Sequence, residues 1–398
     1  MILSTKAEQI SESITLSITA TAKKRRDEGL DVIGFGAGEP DFNTPEYIQQ
    51  AAINAIHKGY TKYTATSGIV ELKKAIINKF VNDNNLNYSL SQIIVSTGAK
   101  QCLANTFQAI LNPGDEVIVP VPYWVSYPEL IKLADGVPVF ANTEESNNFK
   151  YTKEELLKVT TSKTKAILIN SPNNPTGTVY TEEELKMIAD FAKKKDIFII
   201  SDEIYEKLIY GESKHISIAS LSKDAYDRTI VINGVSKTYA MTGWRLGYAA
   251  ANEKIIKLMV NIQSHTTSNT SSIAQYAAVE ALNGEKETIN SMVLEFKKRR
   301  DYMVDRINSI KYLSCTMPDG AFYVMVNITN VLNKKINDEL IQDSLDFSKH
   351  LLISEKVAVI PGDGFGVSNF IRLSYATSMD NIIEGLNRIE KFMENFNK

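Results

Sequence analysis

The chain has 398 residues, 43% of them hydrophobic and 23% charged, with a formal net charge of −3 and a pI near 6.0. These values belong to a folded globular chain of about two domains and exclude a disordered, collagen-like or coiled-coil one. The charge offers no footprint for nucleic acid or an anionic membrane.

Two cysteines, Cys102 and Cys315, make neither a disulfide scaffold nor a zinc cluster and read as small buried hydrophobes. The opening MILSTKAEQISESI has no apolar run behind a basic start, so no secretion signal is expected. Nor does any apolar run approach the roughly 18 residues of a membrane span. The expectation is a soluble chain in a reducing, cytoplasmic compartment.

In chain order, residues 1–44 carry no clear sheet of their own and are expected to pack on a smaller unit. Short Ile/Val-rich runs then recur at Gln92–Val95, Glu116–Val119, Val137–Phe140, Ala166–Ile169, Ile197–Ile200 and Thr229–Ile232. Amphipathic stretches separate many of them. Apolar strands alternating with helices predict an α/β unit whose mainly parallel sheet is covered on both faces. Capping boxes at Thr152–Glu155 and Thr181–Glu184 mark two helix starts. Near residue 285 the pattern changes to a long charged helix, about Glu287–Asn308, followed by strands at Ala321–Val326, Val357–Ile360 and Phe370–Ser374 and a terminal helix near Asp380–Phe392. This reads as a smaller α+β unit.

Familiar motifs mostly fail. Gly34-x-Gly36-x-Gly38 and Gly362-x-Gly364-x-Gly366 lack the spacing of a dinucleotide site. Gly234–Thr238 is too short for a phosphate loop, and Ser220–Lys223 fits S-x-x-K without the supporting motifs of a serine acylase. His57, His215, His265 and His350 form no spaced pair for a metal. What remains lies at the ends of apolar strands: Asn170 to Gly177 after AILI, Asp202 and Tyr205 after IFII, and Ser236, Lys237 and Arg245 after TIVI. In open α/β sheets such strand ends face the ligand crevice. Ser96–Lys100 adds a helix N-terminus suited to an anion. An amine, a carboxylate and a phosphate-suited helix start match pyridoxal phosphate (pyridoxal 5'-phosphate).

These residues sit in eight ordered segments: GAGEPDF, KYTATSG, STGAKQ, PYWVSYP, NSPNNPTG, SDEIY, NGVSKTYAMTGWRLGY and NFIRLS. Together they make the chain resemble the class I aminotransferases of fold type I, in the bacterial aspartate aminotransferase branch. The resemblance implies a three-layer α/β/α large domain over residues 45–296 and a smaller α+β domain formed by residues 1–44 and 297–398. It implies amino-group transfer from aspartate to 2-oxoglutarate with ping-pong kinetics, with aspartate/prephenate or broader aromatic aminotransferase activity as the alternative and a lyase on the same fold behind it. Carried over residue by residue, Lys237 resembles the Schiff-base lysine and Asp202 the partner of the pyridinium nitrogen. Asn174 and Tyr205 resemble the donors to the ring's phenolic oxygen, and Trp124 the ring stacked on the cofactor. Arg245, with the backbone at Ala99 and Lys100, resembles the phosphate anchor. Arg372, helped by the backbone at Gly38, resembles the grip on the substrate α-carboxylate. Tyr63 resembles a tyrosine that reaches the neighbouring subunit's phosphate, which implies a homodimer with shared sites. The side chain of Lys100 resembles the bacterial branch's contact to the substrate's distal carboxylate, since Ser264–Ser272 offers no arginine for that work. The family often has serine where this chain has Gly234, which leaves Ser236 as a partial substitute. No metal and no membrane or nucleic-acid partner is expected, only amino acids and 2-oxo acids.

Overall fold

The structure, a computed structural model, describes residues 3–336 and 339–397. Seven strands form the main sheet: β1 (Ile93–Ser96), β2 (Glu116–Val121), β3 (Val137–Asn142), β4 (Thr164–Asn170), β5 (Phe198–Asp202), β6 (Thr229–Gly234) and β7 (Gly247–Ala250). Their order is β1-β7-β6-β5-β4-β2-β3. All neighbours are parallel except β7, which runs antiparallel to both β1 and β6. The six Ile/Val runs are the six strands expected. β7 was missed because Gly-Tyr-Ala-Ala carries no β-branched residue.

Alternation along the strands builds the layers, since successive side chains point to opposite faces. Val117, Val119, Leu168, Ile200, Ile230 and Ile232 pack on one face with Leu103, Phe107 and Ile131. Those partners lie on α3 (Ala99–Ile110) and α4 (Ser126–Leu133); α1 (Ile14–Asp27) and α2 (Val70–Asn84) precede them in the chain. Ile118, Ile167, Ile169 and Ile199 pack on the other face with Leu185 and Ile188 of α5 (Glu182–Lys195). The α5 start is a reciprocal capping box, Thr181 N–H to Glu184 Oε2 at 2.7 Å and Glu184 N–H to Thr181 Oγ1 at 3.3 Å. At Thr152 only the first half of the expected box forms, Glu155 N–H donating to Thr152 Oγ1.

A second sheet joins β8 (Tyr323–Asn327), β9 (Ile360–Pro361) and β10 (Phe370–Ser374) in the order β9-β10-β8, all antiparallel. It packs with α6 (Glu287–Ser309) and α7 (Met379–Glu394) around Phe296, Phe322, Phe347 and Phe392. The single strand expected at Val357–Ile360 is divided. Val357–Ala358 pairs in parallel with Ile33–Gly34, and the chain then turns to the other sheet at Ile360. Ile33 and Gly34 of the early segment thus pair with a short C-terminal strand. Among the described residues, no helix is long and apolar enough to cross a membrane.

Candidate active site

The carboxyl ends of β4, β5 and β6 lie side by side, with Asn170 opposite Asp202 and Asp202 opposite Ile232. They open onto a cavity of about 570 Å³ whose wall includes Gly38, Ala99, Lys100, Trp124, Asn174, Asp202, Tyr205, Ser236, Lys237, Arg245 and Arg372. Strands from both sheets and the segment after Ile33–Gly34 contribute to it. Tyr63 stands outside this wall, 92% exposed on the surface.

Asp202 is buried at the end of β5. Its Oδ2 accepts from the Tyr127 hydroxyl at 2.7 Å and its Oδ1 from Ile204 N–H at 3.2 Å. Burial raises the carboxyl to about 6 against the opposing pull of those two donors, of which Tyr127 is the stronger. A carboxyl that holds its proton to about pH 6 instead of 3.8 costs the folded state about 3 kcal/mol at neutral pH. The sign follows from linkage: the folded form binds the proton more tightly, so stability is present below about pH 4 and is lost as pH rises through about 6. Asp202→Asn, whose Oδ1 still accepts from Ile204 N–H and whose Nδ2 donates to the Tyr127 oxygen with that bond reversed, is therefore expected to raise the melting temperature of the ligand-free protein at pH 7 and leave it unchanged at pH 4. Calorimetry across that range checks it; equal curves at both pH values would remove the argument.

Lys237 follows β6 and is half-buried. Its Nζ donates to the Gly38 carbonyl oxygen and lies 5.7 and 5.8 Å from the ring centroids of Tyr205 and Phe322. Burial lowers its ammonium to about 8 against the opposing charge of Glu39, and Arg245 and Arg372 push the same way as burial. Such an amine sheds its proton far more readily than a surface lysine, as a nucleophile or general base must.

Arg372, on β10, is 1% exposed. Its Nη1 donates to Asn174 Oδ1 at 2.9 Å and its Nη2 to the Gly36 carbonyl at 3.2 Å. The Tyr323 ring lies 4.3 Å from the guanidinium carbon and Phe365 5.0 Å. Among the described residues, Arg372 Nε is buried without a hydrogen-bond partner. A buried guanidinium without a carboxylate partner is a ready receptor for one. Asn174 is itself held by its N–H, which donates to Asn170 Oδ1 at 2.8 Å. The Tyr205 and Tyr323 hydroxyls bond each other at 2.9 Å.

Arg245 adopts a left-handed backbone, φ 54°, and folds over Gly98, which has φ 86°. A Cβ on Gly98 would stand 2.4 Å from Arg245 Nη2, so only glycine admits the guanidinium there. The first N–H groups of a helix have no partner within it, and Ala99 and Lys100 supply those groups at the cavity wall. The helix start reaches the sheet because β7 begins with Gly247, where a Cβ would meet Ala99 N at 2.3 Å. The same crowding accounts for Gly234: a Cβ there would stand 3.0 Å from Gly247 Cα and 3.1 Å from the Leu246 carbonyl, so a serine would press on the backbone. Ser236, 7% exposed, lines the cavity two residues later. Lys100 Nζ lies 5.0 Å from the Trp124 ring centroid, and burial together with Arg245 lowers its ammonium. Helix start, arginine and glycine cradle suit a phosphate; the amine and carboxylate suit an aldehyde-bearing, protonated ring. The residues present therefore fit pyridoxal phosphate.

Sequence reasoning missed Tyr127, Tyr323 and Glu39. Tyr127 and Glu39 stood inside quoted segments, and Tyr323 inside an expected strand, but only packing shows where their side chains go. Also missed was the wall formed by Thr15, Leu16, Thr19 and Arg26 on and around one face of α1.

An α/β sheet edge that presents a lysine amine, a buried carboxylate and a phosphate cradle to one cavity defines an enzyme that handles amino groups. Residues 30–389 match the family described as aminotransferase class I and II, and the chain belongs to that family. It is 50% identical to the Bacillus subtilis protein named aspartate aminotransferase, over 99% of both chains. It is 47% identical to a Rickettsia bellii protein named probable aspartate/prephenate aminotransferase, over 98% of each. The solved aspartate aminotransferase of Rhizobium meliloti superposes with a TM-score of 0.96 at 42% identity, covering 99% of both chains.

Proposed function

We propose that the protein transfers the amino group of L-aspartate to 2-oxoglutarate, giving oxaloacetate and L-glutamate, with pyridoxal phosphate as cofactor. The observation that carries this reading is the placement of Lys237, its ammonium lowered to about 8, in one cavity with buried Asp202 and the carboxylate-free Arg372. The names of the Bacillus and Rhizobium relatives support aspartate as the substrate.

When bound, pyridoxal phosphate supplies an aldehyde carbon for the amino group and a ring that accepts electrons from Cα. Ala99 and Lys100 N–H groups and Arg245 would hold the phosphate. Asp202 would hold a proton on the ring nitrogen by opposing its charge, and Trp124 would offer an aromatic face to the ring. Asn174 and Tyr205 would donate to the phenolic oxygen. Arg372 orients the amino acid by gripping its α-carboxylate in two parallel hydrogen bonds. Lys237 Nζ, as a neutral amine, would take the proton from Cα of the amino acid and hand it on to the aldehyde-derived carbon. Residues 45–296 are the cofactor-binding domain in this reading, and 1–44 with 297–398 the domain that brings Gly38 and Arg372 to it.

The visible spectrum of the purified protein tests the proposal as amino acids are added one at a time. Aspartate and glutamate are expected to change the absorption of bound cofactor, and 2-oxoglutarate to restore it. Turnover of aspartate without an oxo-acid acceptor would point to a lyase instead. The Rickettsia relative's name favours prephenate as a second acceptor, read in the same titration.

The exposure of Tyr63 supports a homodimer in which this residue serves the neighbouring site. Mixing Tyr63→Phe with Lys237→Ala subunits is then expected to restore part of the lost activity, because each hybrid dimer keeps one intact site. No recovery despite demonstrated subunit exchange would count against shared sites.

A further inference from the structure

Behind the cavity lies a buried polar cluster that the amino-transfer reading does not use. Glu203 follows Asp202 directly, so the two carboxylates leave the chain on opposite faces. Glu203 is 1% exposed and accepts three hydrogen bonds: Ser201 Oγ at 2.8 Å, Ser217 Oγ at 2.7 Å and His215 Nε2 at 3.1 Å. His215 Nε2 also stands 3.8 Å from Glu206 Oε2. Glu206, one residue after Tyr205, pairs with Lys79 and accepts from Asn84 Nδ2 at 3.1 Å; Lys79 in turn donates to Asn84 Oδ1 at 2.7 Å. Lys79 and Asn84 lie on α2, and Lys207 is paired with Asp83 beside them. Burial would raise Glu206, yet Lys79, His215 and Lys207 hold it down to about 2.

Three ligand atoms of Glu203, Glu206 and His215 lie within 4.8 Å of one another, a grouping not expected from the spacing of the histidines. Lys79 already supplies a cation there. The protons decide what His215 does: a carboxylate only accepts, so Nε2 carries the hydrogen and donates it to Glu203, with Glu206 Oε2 beyond hydrogen-bond reach. Among the described residues, Nδ1 is buried without a partner. The imidazole therefore acts here through the Nε2–H bond to Glu203, since its other nitrogen gains nothing from burial.

We propose that His215 is a positioning residue for amino transfer. Its Nε2–H holds Glu203, beside Ser201 and Ser217, and so locks, from the far face of the sheet, the four-residue turn that presents Asp202 and Tyr205 to the cavity. The proposal rests on the functional reading above, so the wild type's own amino transfer and the site of its borohydride label are read first; failure there sinks that reading separately.

The test compares His215→Leu, His215→Gln and His215→Asn holoenzymes. Glutamine places an N–H near the Nε2 position, whereas the shorter asparagine does not. A displacement of about 1 Å at reacting groups costs on the order of 10²-fold. His215→Leu is expected to lose kcat by about that factor, while KM for aspartate changes less than about threefold because Arg372 stands on another sheet. The pH midpoint of the bound cofactor's absorption is expected to move, and His215→Gln to restore both readouts while His215→Asn does not. Full kcat with an unmoved midpoint in His215→Leu would overturn the proposal. If His215→Leu does not fold, the other pair decides: glutamine and asparagine variants behaving alike, whether both active or both impaired, overturns it as well.

Discussion

Lys237→Ala is expected to lower amino transfer by about 10⁴-fold or more while the protein still binds pyridoxal phosphate non-covalently. General-base catalysis alone accounts for roughly 10²–10⁴-fold, and the same amine is the nucleophile that holds the cofactor. Phosphate binding should survive, because Arg245 and the start of α3 are untouched. Borohydride reduction of the wild type followed by peptide mapping checks the assignment, and a label on any other lysine would refute it. The pH dependence follows from the same group. With its ammonium at about 8, only about a tenth of Lys237 is neutral at pH 7 in the ligand-free site. Single-turnover rates limited by this base should then rise with pH and level off above about 8.

Lys100→Ala is expected to separate substrates from one another. A dicarboxylic amino acid brings two carboxylates into the cavity, and Arg372 serves one. Lys100 stands at the cavity wall with its ammonium over Trp124, where a compact, movable charge reaches the distal carboxylate of aspartate or of the longer glutamate. Removing one partner of a desolvated charge pair costs on the order of 2–5 kcal/mol, or roughly 30- to several-thousand-fold. The partial exposure of Lys100 places the effect at the lower end of that range. kcat/KM for aspartate and glutamate should fall accordingly, and that for alanine or an aromatic amino acid far less. An equal loss for every substrate would assign Lys100 to the phosphate or to packing.

Six of the seven main strands were legible as Ile/Val runs, five of them because a strand buried on both faces is continuously apolar and that signal is local, and the edge strand β3 by its β-branched and aromatic residues alone. The polar residues that close those runs, Asn170, Asp202 and Lys237, were legible for the same reason: a polar group at the end of a buried strand has few other places to go than the crevice. β7 was not, since its glycine and alanines are selected by what packs against them. Gly247 is small to admit the start of α3, and that start is 148 residues earlier in the chain by the count from Ala99.

The sequence by itself determined the layers, the strand ends and, through its eight segments, the aminotransferase resemblance. Only the tertiary structure decided which side chains complete the site. Tyr127 meets Asp202 across 75 residues, Tyr323 meets Tyr205 across 118, and the Gly36 carbonyl meets Arg372 across 336. Glu203, His215 and Lys79 converge behind the sheet in the same way. Periodicity records which face of an element is buried, because burial repeats every second or every 3.6 residues along the chain. It carries no record of which distant element covers that face. That is set by strand order and by the short pairing of Ile33–Gly34 with Val357–Ala358, which brings the Gly36–Glu39 segment against Lys237 and Arg372.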